Sequence, residues 1–308
     1  MNQKNHVLLI LFLSLLSVAL LTGCAGSTGR SDNPEEQPSK IHVAATIFPL
    51  ADIAQEIGGE KVAVDTLLPA GSSPHTFEIT PEQIKKLSAL RVFLKVGAGL
   101  DSFGDKLAAA HTASDLITVT VMENPGLQSY LQQHYRQSHR NPHVWLDPVL
   151  VKEYIAPQIA GALVKATPEN EQYFKTNLSK YCAELDALDR KIREKTAKLT
   201  HRTFISFHSA WYYFAARYDL NNIIVQEFPS QEPTPGWLAE VIETAQNSGA
   251  RAVIAEPQFS TRAAEVIAAE LGAPVLMLNP LGAEELPGYD SYLNLIHSNL
   301  KILEPALH

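Results

Sequence analysis

The sequence predicts an α/β protein of two lobes. Each lobe is built on a four-stranded parallel sheet flanked by helices, and one long stiff helix joins them. Three observations predict this. Short β-branched runs alternate with helical patterns, which is the rhythm of βα units and parallel sheets. The runs fall into two groups of four. Between the groups lies a stretch of about 30 residues with no glycine and no internal proline, carrying a single apolar stripe.

The chain opens on a run, 7–21, that is apolar apart from Ser14 and Ser17. As a helix it spans about 22 Å, short of a hydrocarbon core of about 30 Å. It fits the apolar part of an export signal, residues 1–23, better than a membrane span. The run ends in Leu21-Thr22-Gly23-Cys24. This resembles the lipobox of bacterial lipoproteins, which implies cleavage before Cys24 and lipid attachment at its thiol. Residues 24–40 are rich in Gly, Ser, Asn, Pro, Glu and Gln and read as a flexible tether.

The N-terminal lobe, 41–168, carries expected strands at 41–46, 62–67, 92–96 and 117–121, with helical stretches at 50–57 and 81–90. Thr80-Pro81-Glu82-Gln83 is a capping box with proline at the first helical position. Asp147-Pro148 is a second cap-plus-proline start. In the linker helix, 169–200, apolar residues recur at Tyr173, Phe174, Leu178, Tyr181, Leu185, Leu188 and Ile192. The stripe covers too few heptads for a coiled-coil arm, so the helix reads as a strut. The C-terminal lobe, 201–308, repeats the pattern with strands at 203–207, 222–227, 251–255 and 275–278, and Thr234-Pro235 starts a helix.

Composition excludes several classes. Of 308 residues, 45% are hydrophobic and 19% charged, so the chain is not disordered as a whole. Its net charge of -8 and lack of any basic run argue against nucleic acid as a partner. Two cysteines make neither a disulfide framework nor a Cys-rich zinc site. With Cys24 lipidated, Cys182 is expected to be a buried, inert thiol.

Eleven histidines are present, and three stand where an open parallel sheet binds ligands, beyond the carboxyl ends of its strands. His75 lies in Gly71-Ser72-Ser73-Pro74-His75 after the second strand. His143 lies in Asn141-Pro142-His143-Val144-Trp145-Leu146-Asp147-Pro148 after the fourth. His208 follows the first strand of the second group. They are 68 and 65 residues apart, so only the fold can bring them together. Three neutral imidazoles converging on one point suit Zn²⁺. Glu256 and Asn279 follow later strands and are candidates for a fourth ligand or for supporting the histidines. The amide oxygen of Asn279 is the poorer donor for zinc. Asp147 is open to a supporting role or to a plain helix cap. His42, His111, His134, His139, His201, His297 and His308 read as strand, edge or solvated positions, and His6 lies in the signal.

Three histidines and a water also describe a catalytic zinc, with Glu256 as base, so an exported zinc hydrolase is the alternative. No His-Glu-x-x-His supports it. Gly97-Ala98-Gly99 follows a strand, but Ser102 stands where a dinucleotide fingerprint needs its third glycine, and a tight turn explains the pair. Nothing in the sequence speaks to adhesion.

The ordered set of Gly71–His75, Asn141–Pro148, Phe207-His208, Glu232-Pro233-Thr234 and Ala255-Glu256-Pro257-Gln258-Phe259 resembles the zinc/manganese solute-binding lipoproteins of ABC importers. The resemblance spans nearly all of the mature chain. It implies the same two-lobe fold with a metal in the cleft between lobes, a binding role and no catalysis. It implies His75 and His143 as the first two ligands. The third position is histidine in zinc-type members and glutamate in manganese-type ones, and here it is His208. The resemblance therefore implies Zn²⁺ as cargo, with Mn²⁺ as the alternative. The fourth position is often aspartate, from which Asn279 departs. The implied partner is an ABC transporter permease, reached by an exported monomer. That monomer is held by its lipid at the outer face of the cytoplasmic membrane or lies in the periplasm.

Overall fold

The structure is a computed structural model that describes residues 40–308 apart from 112–114, 136–137 and 227–232. The signal, the tether up to residue 39, Cys24 and Glu232 lie outside the described residues. Strands β1 (Ile41–Ala45), β2 (Val62–Thr66), β3 (Val92–Lys95) and β4 (Ile117–Thr120) form one sheet in the order β2-β1-β3-β4. Strands β5 (Thr203–His208), β6 (Asn221–Gln226), β7 (Val253–Ala255) and β8 (Val275–Met277) form the other, in the order β6-β5-β7-β8. Every pairing is parallel, and Val43 of β1 lies opposite Val64 on one side and Val92 on the other. The shared order leaves a crevice between β1 and β3 and another between β5 and β7, where the winding direction reverses.

The helices follow from caps and stripes. α1 (Phe48–Gly58) starts with Pro49 in its first turn and buries Leu50, Ile53 and Ile57. α2 (Pro81–Lys86) has the predicted capping box: Thr80 Oγ1 accepts from Gln83 N at 3.3 Å, and Gln83 Oε1 accepts from Thr80 N at 2.9 Å. It stops short of the predicted residue 90. Leu87 and Leu90 instead bury against Phe93, Phe103 and Leu107, so tertiary packing overrides the local pattern. α3 (Phe103–Ala110) and α4 (Pro125–His134) follow, the second capped by Asn124. Asp147 caps the turn Pro148–Leu150, which passes through a π turn at Val151–Ile155 into α5 (Ala156–Ala166).

α6 (Glu171–Thr196) is the predicted long helix, about 39 Å in length. It buries Phe174, Tyr181, Leu185, Leu188 and Ile192, and it packs against α1, α5 and the last helix, α10 (Tyr292–Leu307). The largest apolar cluster runs from Val43 and Leu94 through Tyr181 and Leu185 to Phe204, Ile254 and Leu295. The strut is thus embedded in a core continuous with both sheets, which makes it stiff. Cys182 lies off the stripe and is half-buried rather than fully buried, and partial burial pushes its thiol pKa up. On the second sheet, α7 (Tyr212–Arg217), α8 (Pro235–Ser248) and α9 (Arg262–Leu271) complete the fold. A smaller cluster of Ile205, Val253, Val241 and Ile267 holds α8 and α9 to the strands. Among the described residues, no helix is long and apolar enough to cross a membrane.

Candidate metal centre

Each of the three histidines is presented by a different local device. The loop after β2 turns at Gly71, whose φ of 76° needs glycine, and buried Pro74 stiffens the approach to His75. Phe77 anchors the far side of the loop edge-to-face on Phe103, with ring centroids 4.9 Å apart. His143 sits between a proline and the short 3-10 turn Val144–Leu146. Buried Trp145 fixes that turn: its Nε1 donates to Pro280 O at 2.8 Å, and its carbonyl accepts from Tyr292 Oη at 2.7 Å. His208 is the last residue of β5, the strand beside the second crevice, and Glu256 stands just past the end of neighbouring β7.

The fold brings the three imidazoles together. One ring nitrogen from each lies within 4.8 Å of the other two. His143 and His208 are 2% exposed, and His75 is partly buried. Their ring centroids are 4.6 to 5.6 Å apart. The cavity among them, closed by Phe259 and Leu281, is about 10 Å³, room for a single ion or water and not for an organic molecule.

The supporting contacts use one side of His208 and of Glu256 and leave the other atom of each unbonded. His208 Nδ1 lies 3.3 Å from Glu256 Oε2, which also accepts from Gln258 Nε2 at 3.3 Å. His208 Nε2 and Glu256 Oε1 are buried and make no hydrogen bond within the chain. Orphaned buried polar atoms are rare in folded proteins, and here both residues line one small cavity. Burial lowers the His75 pKa to about 4, with repulsion from His208 adding to it. Burial likewise holds His143 well below the ordinary histidine range, with His208 and His75 contributing. His75 and His143 are therefore kept neutral, the form that ligates metal.

The other candidate residues have partners of their own. Asn279 Oδ1 accepts from Leu281 N and Gly282 N, both at 3.0 Å, so it shapes the turn beyond β8. Asp147 caps its helix and pairs with Arg217, with Nε at 2.8 Å. His134 stacks on Tyr130 and stands apart from the cluster, as does His139. The turn at Gly97-Ala98-Gly99 is organised around the Asp101 carboxylate, which accepts from Val96 N at 2.6 Å and Gly97 N at 2.9 Å. Sequence reasoning missed Asn141, Gln258 and Arg217. Asn141 had a readable signal, because asparagine readily bonds its own backbone two residues on.

The family described as ZnuA, zinc-uptake complex component A, periplasmic, matches residues 43–306. The chain belongs to this family. The ZnuA family comprises metal-capturing components of uptake complexes, so the chain is a binding protein rather than an enzyme. It is 28% identical over 301 residues to the high-affinity zinc uptake system protein ZnuA of Bacillus subtilis, covering 94% of each chain. It is 27% identical over 313 residues to the manganese ABC transporter substrate-binding lipoprotein PsaA of Streptococcus anginosus, covering 98% of each. A crystal structure of ZnuA superposes with a TM-score of 0.73 at 32% identity, covering 86% of this chain and 98% of that one.

Proposed function

We propose that this ZnuA-family protein captures Zn²⁺ outside the cytoplasmic membrane and delivers it to an ABC permease, with His75, His143 and His208 as the ligands. The observation that carries the reading is the convergence of three imidazoles on a cavity of one-ion size. An all-nitrogen donor set favours zinc over manganese, which prefers carboxylate and water oxygens. Water or Glu256 completes the coordination. Glu256 also supports His208 through Nδ1.

The delivery role draws on the relatives, which are named as uptake-system and ABC transporter components. Export follows from the signal at 1–23, and lipid attachment at Cys24 from the lipobox resemblance. The lipid keeps the protein near its permease; one acyl chain binds a membrane weakly and two bind it stably. The lobes are 41–168 and 201–308, and the embedded strut, 169–200, restricts their relative motion. The small cavity speaks against a hydrolase, because an organic substrate needs far more room.

A competitive titration of the purified protein with zinc and manganese against a chelator tests this. Expected are one tight zinc site, much weaker manganese binding, and a large loss of zinc affinity in His208→Ala. Equal affinity for both metals, or an unaffected variant, overturns the reading.

A further inference from the structure

We infer that Asn141 is the residue that positions the metal-binding pair, fixing the tautomer of His143 and its distance from His208; this rests on the reading of His143 as a ligand. The orientation of the Asn141 amide follows from two partners that each act one way. The His143 backbone N–H, which can only donate, meets Oδ1 at 3.0 Å. The Ser209 carbonyl, which can only accept, receives Nδ2 at 2.9 Å. With Oδ1 so assigned, the His143 Nδ1 that lies 2.8 Å from it must carry a proton. The lone pair of His143 then resides on Nε2, and the ring presents one defined donor before any metal arrives.

The same amide spans the two ligand-bearing segments. Ser209 is the residue immediately after His208, so the Nδ2 bond ties the His143 loop to the end of β5. Tyr213, fully buried, backs this tie: its hydroxyl bridges Asn141 O at 3.0 Å and Ser138 O at 2.8 Å. Pro142 between Asn141 and His143 removes a backbone rotation. In a dry site the opposite tautomer would set the Nδ1 lone pair against the Oδ1 lone pairs, which a buried acceptor pair does not tolerate. Groups that orient metal-ligating histidines in this way are worth about 10–100-fold in metal affinity.

Two-bond ¹H–¹⁵N correlation of the metal-free protein reads the His143 ring directly. The expected wild-type result is a single tautomer with the proton on Nδ1. In Asn141→Ala that preference is lost and zinc affinity falls about 10–100-fold. Asn141→Asp keeps the acceptor and loses the Ser209 tie. It therefore retains the tautomer and recovers part of the affinity, which a purely structural role would not distinguish. A wild-type proton on Nε2, or Asn141→Ala with tautomer and affinity unchanged, overturns the inference. His143→Ala separates the two levels: unchanged zinc affinity there overturns the ligand reading and the metal role of Asn141 with it, whatever the tautomer of the wild type.

Discussion

Replacing Arg217 by alanine should destabilise the metal-free protein by about 3–5 kcal/mol, the usual cost of breaking a buried pair from one side. Asp147 is 0% exposed, and its carboxylate accepts from Val149 N at 2.9 Å, Leu150 N at 3.4 Å and Arg217 Nε at 2.8 Å. Arg217 also donates to Tyr130 Oη at 3.1 Å and lies 5.9 Å from the centre of that ring. Removing the guanidinium leaves a carboxylate in a dry site with two backbone donors and no counter-charge. For a chain of this size the loss corresponds to roughly 6–20 °C in Tm.

Burial pushes the Asp147 carboxyl pKa up, while Arg217 and the two backbone N–H groups pull it back. Without Arg217 the pKa rises further, so the neutral form is the one the fold favours. The deficit of Arg217→Ala should therefore shrink as pH falls and the carboxylate takes up a proton. Urea unfolding of wild type, Arg217→Ala, Asp147→Asn and the double variant, with chelator at pH 7.5 and pH 5, measures each quantity. The double variant should lose less than the two singles added together. A loss below about 1 kcal/mol for Arg217→Ala, or strict additivity, would refute the reading of Asp147 and Arg217 as a coupled buried pair.

Other expectations follow from the same structure. Asp52 accepts from Tyr292 N at 2.8 Å, yet burial raises its pKa to about 6, with Glu56 and Asp290 adding to the shift. Its ionisation therefore costs stability that is absent below its unfolded pKa and accrues as pH rises through about 6. Discounted for partial exposure, Asp52→Asn should stabilise by about 1–2 kcal/mol at pH 7.5 and by little near pH 4, and destabilisation at pH 7.5 contradicts this. Glu256→Gln weakens the hold on His208 Nδ1 and should lower zinc affinity about 10–100-fold by titration; an unchanged affinity removes Glu256 from the site. Gly97 has a φ of 87°, and a Cβ there would meet Thr120 Cγ2 at 2.5 Å, so Gly97→Ala should cost about 1–3 kcal/mol in urea unfolding. A neutral result would mean that the turn relaxes freely.

What was legible in the sequence was what local chemistry dictates. β1 and β3 are buried centre strands and read as β-branched and apolar runs, and the stripe of α6 gave most of its buried face, with Tyr173 and Leu178 only partly buried and Thr196 buried outside it. His75, His143 and His208 were legible because parallel sheets place ligands at strand ends. Features set by distant packing were not. The early stop of α2 depends on Phe93 and Phe103. The Asp147–Arg217 pair joins residues 70 apart, and the Asn141–Ser209 bond joins residues 68 apart. No local pattern marks such partners. Asn279, placed after a strand like the three histidines, holds the backbone N–H groups of Leu281 and Gly282, a role that strand-end position alone does not reveal.

The central claim is that three imidazoles hold the metal. X-ray absorption at the zinc K edge of the zinc-loaded protein tests it most directly. The account predicts a four-coordinate shell of nitrogen and oxygen near 2.0–2.1 Å, with imidazole scattering from three rings that falls to two in His208→Ala. A shell of oxygens without imidazole scattering, or a spectrum unchanged in His208→Ala, would contradict it.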